Sequence, residues 1–188
     1  WYHLNGNWNE WQRLEWKFRI PKGFQPTTKF CHLHQLKAQE GNNGAPLITI
    51  STRCDKDGGN KRVQVIHTGD TRTSGKGVII DNLPLADFED EWIQVETEMH
   101  YTHHGTFRIK LTRISDGKVL ADQSFADVDL WRKGATSIRN KFGIYRSLGR
   151  KMQSASDRPD NGLKDESLQL ADFKVYEAHT NPNPQPHD

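Results

Sequence analysis

The sequence predicts an all-β protein, an antiparallel sandwich of two sheets. Apolar and polar residues alternate with a period of two, Gly, Asn and Asp turns separate the alternating runs, and long helical stripes are scarce. At 188 residues the chain is long enough for one domain with a substantial core.

The first predicted strand, 16–20, alternates apolar and basic residues and stops at Pro21-Lys22-Gly23. Strands 30–37 and 46–53 flank the turn Glu40-Gly41-Asn42-Asn43-Gly44, and strand 62–67 follows the Asp/Gly/Asn-rich stretch 55–60. Strands 92–102 and 106–114 form a hairpin about His103-His104-Gly105, and Ser115-Asp116-Gly117-Lys118 turns the chain into strand 119–125. Residues 127–131 read as one helical turn, and strands 141–147 and 168–178 complete the set. The expected organisation is a single domain over 1–180 and a Pro/Asn-rich tail over 181–188.

Composition narrows the function classes. Hydrophobic residues make up 34% and charged residues 27%, a polar but not a disordered balance. No apolar run approaches the roughly 18 residues of a membrane-spanning helix, so no membrane partner is expected. With 26 Lys+Arg against 24 Asp+Glu, the net charge of +2 gives no reason to expect nucleic acid. Two cysteines allow at most one disulfide, and their spacing matches no structural zinc site. The sequence has no initiator Met and no signal-like stretch, which reads as a processed or trimmed product.

Strand parity sorts the polar residues onto faces. In Phe30-Cys31-His32-Leu33-His34-Gln35, His32 and His34 share one face, and Cys31 and Leu33 the other. On the next strand Thr49, Ser51 and Arg53 point outward. Pairing His34 opposite Ser51 would put Cys31 opposite Cys54, where a disulfide or two buried thiols would both fit. Lys141, Gly143, Tyr145 and Ser147 share a face, with Phe142 and Ile144 behind them. A lone His-x-His on a strand is ordinarily a solvated face. Here it gains weight because the surrounding outward positions are basic and hydroxylated while the reverse faces are apolar, a lining suited to an anionic, hydroxyl-rich ligand.

The segments Trp16-Lys17-Phe18-Arg19-Ile20-Pro21, Phe30-Cys31-His32-Leu33-His34-Gln35-Leu36-Lys37, Pro46-Leu47-Ile48-Thr49-Ile50 and Lys141-Phe142-Gly143-Ile144-Tyr145-Arg146 occur in that order. Together they resemble the β-jelly-roll polysaccharide lyases, with the glucuronan lyase group closest and heparin lyase I and the jelly-roll alginate lyases more distant. The resemblance spans about Trp16 to Tyr176. It implies a concanavalin-like jelly roll with a concave substrate cleft, and β-elimination of an acidic, uronate-containing polysaccharide; a secreted, monomeric enzyme is expected. No cofactor is required on this reading. A structural calcium ion is compatible with it, with a carboxylate such as Asp172 as a ligand, but no sequence loop specifies one.

The resemblance also implies roles. Tyr145 would protonate the departing oxygen and in many relatives would also take the C5 proton, helped by Lys141, Arg139 or Arg146 lowering the phenol pKa. A Gln-Ile-His segment of the alginate lyases aligns with His32-Leu33-His34, which makes His34 a base or carboxylate neutraliser. Gln35 is the alternative neutralising amide, although simple parity turns it away from His34 unless a bulge intervenes. His32, Ser51, Arg53, Arg139, Lys141 and Arg146 would bind substrate. The family's usual Arg-x-Glu cleft strand has only Arg13-Leu14-Glu15 as a match here, directly against the next motif, so its true counterpart is expected before Trp1.

Two other functions fit the same architecture. A retaining glycoside hydrolase would need two nearby carboxyls, for which Glu96 and Glu98 are the candidates. A non-catalytic carbohydrate-binding module would use the same basic face and exposed aromatics such as Trp11 or Trp131. The residues specify no metal site: His32 and His34 lack a third ligand at convincing spacing.

Overall fold

The computed structural model describes residues 5–71, 73–148, 163–178 and 180, so the predicted tail lies outside the described residues. Ten strands form two five-stranded antiparallel sheets. One sheet runs β5(Gly77–Pro84)-β4(Arg62–His67)-β3(Ile48–Arg53)-β2(Cys31–Gln39)-β9(Ser137–Arg146). The other runs β10(Gln169–Ala178)-β1(Trp11–Arg19)-β6(Ile93–His100)-β7(Gly105–Arg113)-β8(Val119–Val128). Strands β2 to β5 follow one another within one sheet and β6 to β8 within the other, and the chain crosses between the sheets at β1/β2, β5/β6, β8/β9 and β9/β10.

The alternation seen in sequence is what closes the core. On β1, Leu14, Trp16 and Phe18 are fully buried while Arg13, Glu15 and Lys17 face outward between β10 and β6. From the other sheet, Leu33, Leu36, Ile48, Ile50, Val63 and Val65 meet them in one apolar layer. Burying such side chains is worth about 1.5–3 kcal/mol each, and it fixes which face of each sheet looks outward.

Three expectations are corrected. Strand β5 was not predicted, because Gly-Val-Ile-Ile-Asp-Asn-Leu-Pro does not alternate and forms a largely exposed edge. The helical turn expected at 127–131 is instead the end of β8 and an irregular segment; the one helical turn among the described residues is a 3-10 turn at Leu85–Asp87. Cys31 pairs with Thr52 rather than Cys54, and both thiols are free and buried. The actual register places Ser51 opposite His32, which moves Cys31 away from its expected partner.

Candidate active site

A bulge decides which histidine reaches the outer face. On β2 the pairs run His32↔Ser51 and then His34↔Ile50, so two steps on β2 match one on β3. Against β9 they run His32↔Tyr145 and then His34↔Phe142, where Gly143 adopts φ 128°. An extra residue in a strand reverses the parity of everything beyond it. His32 therefore shares the outer face with Gln35 and Lys37, and His34 turns inward.

His34 is 2% exposed and packs against the rings of Trp16 (centroids 5.3 Å) and Phe142 (4.8 Å). Its Nε2–H donates to Asn140 Oδ1 at 3.0 Å, and burial pushes its pKa down to about 4. It is a neutral core histidine. The expectation that it faces a substrate is corrected, and Gln35 takes the outward position that simple parity denied it.

The outer face carries two adjacent rows. Across β9, β2, β3 and β4, Tyr145, His32, Ser51 and Gln64 stand opposite one another, and Gln64 Nε2–H donates to Asp81 Oδ1 at 2.8 Å. The next row is Lys141, Gln35 and Thr49. Arg139 and Lys37 form a third pair beyond it, and Arg53 extends β3 at the opposite end.

Within the first row, His32 Nδ1 lies 2.7 Å from Ser51 Oγ, and Ser51 donates its hydroxyl proton to Thr49 Oγ1 at 3.0 Å. Ser51 has one proton to give, so toward His32 it accepts, and His32 carries its proton on Nδ1. The Nε2 lone pair is left available. Burial, and secondly the Arg53 charge, push the His32 pKa down to about 4, so the ring is neutral near pH 7. Phe30 stacks on His32 (centroids 5.0 Å) and leans on Tyr145 (5.3 Å), which brings the two polar rings to 6.1 Å. Tyr145 is 61% exposed.

Several expected binding residues occupy different positions from those predicted. Ser51 is fully buried beneath His32 and spends its hydroxyl on that ring and Thr49. Arg146 follows Tyr145 on the strand and therefore faces the other way, where it donates to the Lys164 carbonyl. Lys141, Arg139 and Arg53 do share the outer face, and no described residue makes an ion pair with any of them. Lys37, missed from the sequence, joins Lys141 and Arg139: burial together with Lys141, Arg139 and Arg132 lowers its ammonium pKa. Gln64 and Asp81 were also missed. The signal for Lys37 was its two-residue spacing from Gln35; Asp81 had none, because β5 was not visible.

The residues behind the rival readings lie elsewhere. Glu96 and Glu98 project from β6 of the opposite sheet, where they pair with Arg13 (3.5 Å) and Arg108 (3.4 Å). Arg13 also holds Glu15 at 2.5 Å, so Arg13-Leu14-Glu15 belongs to the sheet opposite the His32 row. Trp11 stacks on His100 (centroids 4.3 Å), likewise on the opposite sheet, and Trp131 is 9% exposed. Asp172 is engaged by Lys17 at 2.5 Å. Among the described residues no three His, Cys, Asp or Glu side chains converge as a metal site requires.

No sequence-family model and no curated protein sequence matches the chain. Solved structures do. A family 7 alginate lyase, captured as a double variant with its substrate, superposes with a TM-score of 0.56 at 11% identity, covering 95% of this chain and 66% of that one. An alginate lyase from Pseudomonas aeruginosa gives 0.52 at 17% identity, covering 92% and 68%. The fold is the β-jelly roll of these lyases. An alginate lyase from Klebsiella pneumoniae gives 0.50 at 14% identity, covering 92% of this chain and 61% of its own. The chain thus spans about two thirds of the length of these jelly-roll enzymes or slightly less.

Proposed function

We propose that this jelly roll is a polysaccharide lyase that cleaves a uronate-containing, glucuronan-like polymer by β-elimination. The observation that carries the reading is the pairing of Tyr145 with a neutral His32 whose free nitrogen faces outward, beside the Gln35–Lys141 pair. The alginate lyase activity of proteins with this fold is consistent with it.

The chemistry needs three tasks performed together. A uronate's C5 proton sits beside a carboxylate whose charge opposes carbanion formation. The Gln35 amide and the Lys141 ammonium, adjacent across the strands, neutralise that carboxylate and stabilise the enolate-like intermediate. His32 Nε2 accepts the C5 proton, and a bound carboxylate beside the ring raises its basicity from the low value of the free protein. The C4–O4 bond then breaks, its electrons leave with O4, and Tyr145 donates its phenolic proton to that oxygen. The product carries a C4=C5 double bond conjugated to the carboxylate. No metal or cofactor enters these steps. Secretion and action as a monomer belong to the same proposal.

Ultraviolet absorbance near 235 nm, followed on polyglucuronate, alginate, polygalacturonate and heparin, tests the reading, because only elimination creates that chromophore. The expected result is a rise on at least one polymer, abolished by Tyr145→Phe. Binding without any rise would instead establish a carbohydrate-binding module, and new reducing ends without absorbance would establish a hydrolase.

A further inference from the structure

Past the end of β9, where Ser147 follows the Tyr145 row, lies a cavity of about 460 Å³ that none of the steps above uses. Ser147, whose amide pairs with the Phe30 carbonyl at 2.8 Å, forms one wall; Lys29, Lys56 and Lys61 bring the charges to a lining that also includes Pro26, Cys54 and Leu163. A second, more open cavity of about 570 Å³ adjoins it through Thr28, Cys54 and Lys56 and brings in Arg53.

The charges there do not cancel. In the second cavity Asp55 holds Arg62 at 2.9 Å and Asp57 accepts the Gly59 amide at 2.9 Å, which leaves the basic side chains Arg53, Lys56 and Arg62 in excess of the two acids. Among the described residues no acid lines the first cavity. Lys29, Lys56, Lys61 and Arg53 make no ion pair with a described residue, and Arg53 Nε is buried without a hydrogen-bond partner. A buried guanidinium nitrogen without a hydrogen-bond partner, in a cavity it shares with Lys56, is costly unless an acceptor arrives to share it.

Accepting the lyase reading, we propose that this cavity is an anion subsite for a carboxylate or sulfate ester on a sugar neighbouring the one that is cleaved. Ser147 lies two residues past Tyr145, about 6–7 Å along the strand, so a group held there cannot belong to the sugar whose C5 faces His32. The volume lies within the range of ordinary ligand cavities. Lysine ammoniums are point charges that take either anion, and Thr28 adds a hydroxyl.

The test is the exposed-loop double variant Lys56→Ala/Lys61→Ala, compared with the parent in a Tyr145→Phe background that binds without turnover. Calorimetry on polyglucuronate, alginate and heparin at two salt concentrations should show affinity about tenfold weaker and less dependent on salt. A loss on polyglucuronate assigns a carboxylate, and a loss confined to heparin assigns a sulfate ester. In the Tyr145 protein the same lysine changes should raise KM about tenfold, with a smaller change in kcat. Affinities within twofold of the parent on every bound polymer overturn the subsite and leave the lyase reading standing. Lysine-dependent binding with no absorbance change from the Tyr145 protein keeps the subsite and removes the lyase reading. Absence of both binding and cleavage removes both.

Discussion

His32 Nδ1 and Ser51 Oγ are 2.7 Å apart on adjacent strands, with Ser51 handing its own proton on to Thr49. A residue with no exposed surface thereby sets which nitrogen of an accessible ring can act as a base.

Ser51→Ala removes the acceptor that holds the proton on Nδ1. The expected outcome is a fall in kcat of about 10–100-fold with KM little changed, as for a lost positioning contact. Ser51→Thr, which restores a hydroxyl, should recover most of it. Steady-state absorbance assays on the cleaved polymer measure both. An Ala variant as active as the parent would remove Ser51 from the mechanism.

The acid limb of the pH profile should report His32. Its pKa in the free protein is held at about 4 by burial and by Arg53, so the neutral ring persists well below the usual histidine range. We expect kcat/KM to stay level from neutrality to about pH 5 and to fall tenfold per unit below about pH 4. Arg53→Gln removes the repelling charge, raises the His32 pKa and moves the limb toward neutral pH. A limb that does not move would exclude His32 as the base.

His34 makes stability fall on acidification. Unfolded, it takes up a proton near pH 6.5; folded, only near pH 4. Between these values the unfolded chain holds more protons, so stability is intact above pH 6.5 and drops as the pH falls toward 4. A shift of that size corresponds to on the order of 3 kcal/mol. Denaturant unfolding at pH 4.5 and pH 7 should show this loss together with a like one from His32, and His34→Leu, similar in volume, should remove the His34 share. An unchanged pH dependence in the variant would show that another group is responsible.

Gly143 allows the β9 irregularity that puts Tyr145 opposite His32. Its φ of 128° is a conformation L residues rarely adopt, although a Cβ there would meet nothing within 4 Å. Gly143→Ala should therefore destabilise through the backbone alone, by about 1–3 kcal/mol, and lower activity together with stability. Thermal unfolding and the absorbance assay measure the two effects. A variant with parental Tm would mean the strand can relax without glycine.

The sandwich was legible because alternation along β1, β6 and β7 is uninterrupted and every second residue is buried. Strand β5 was not, since an exposed edge strand needs no apolar face. Tyr145 and Lys141 were read onto a common face, because parity between them is read within one strand; Arg139 joins them only because β9 begins at Ser137, before the predicted start at 141.

Local alternation under pressure to bury apolar side chains specifies an all-β chain and a basic, hydroxyl-bearing outer face, and both can be read from the order of residues alone. Packing across the assembled sheets selects His32 and Gln35 for that face and sends His34 into the core. That choice depends on where β2 and its neighbours slip register, and such a slip is set by packing between strands distant in sequence: Phe142 and Trp16 close over His34, and no pattern within β2 records them.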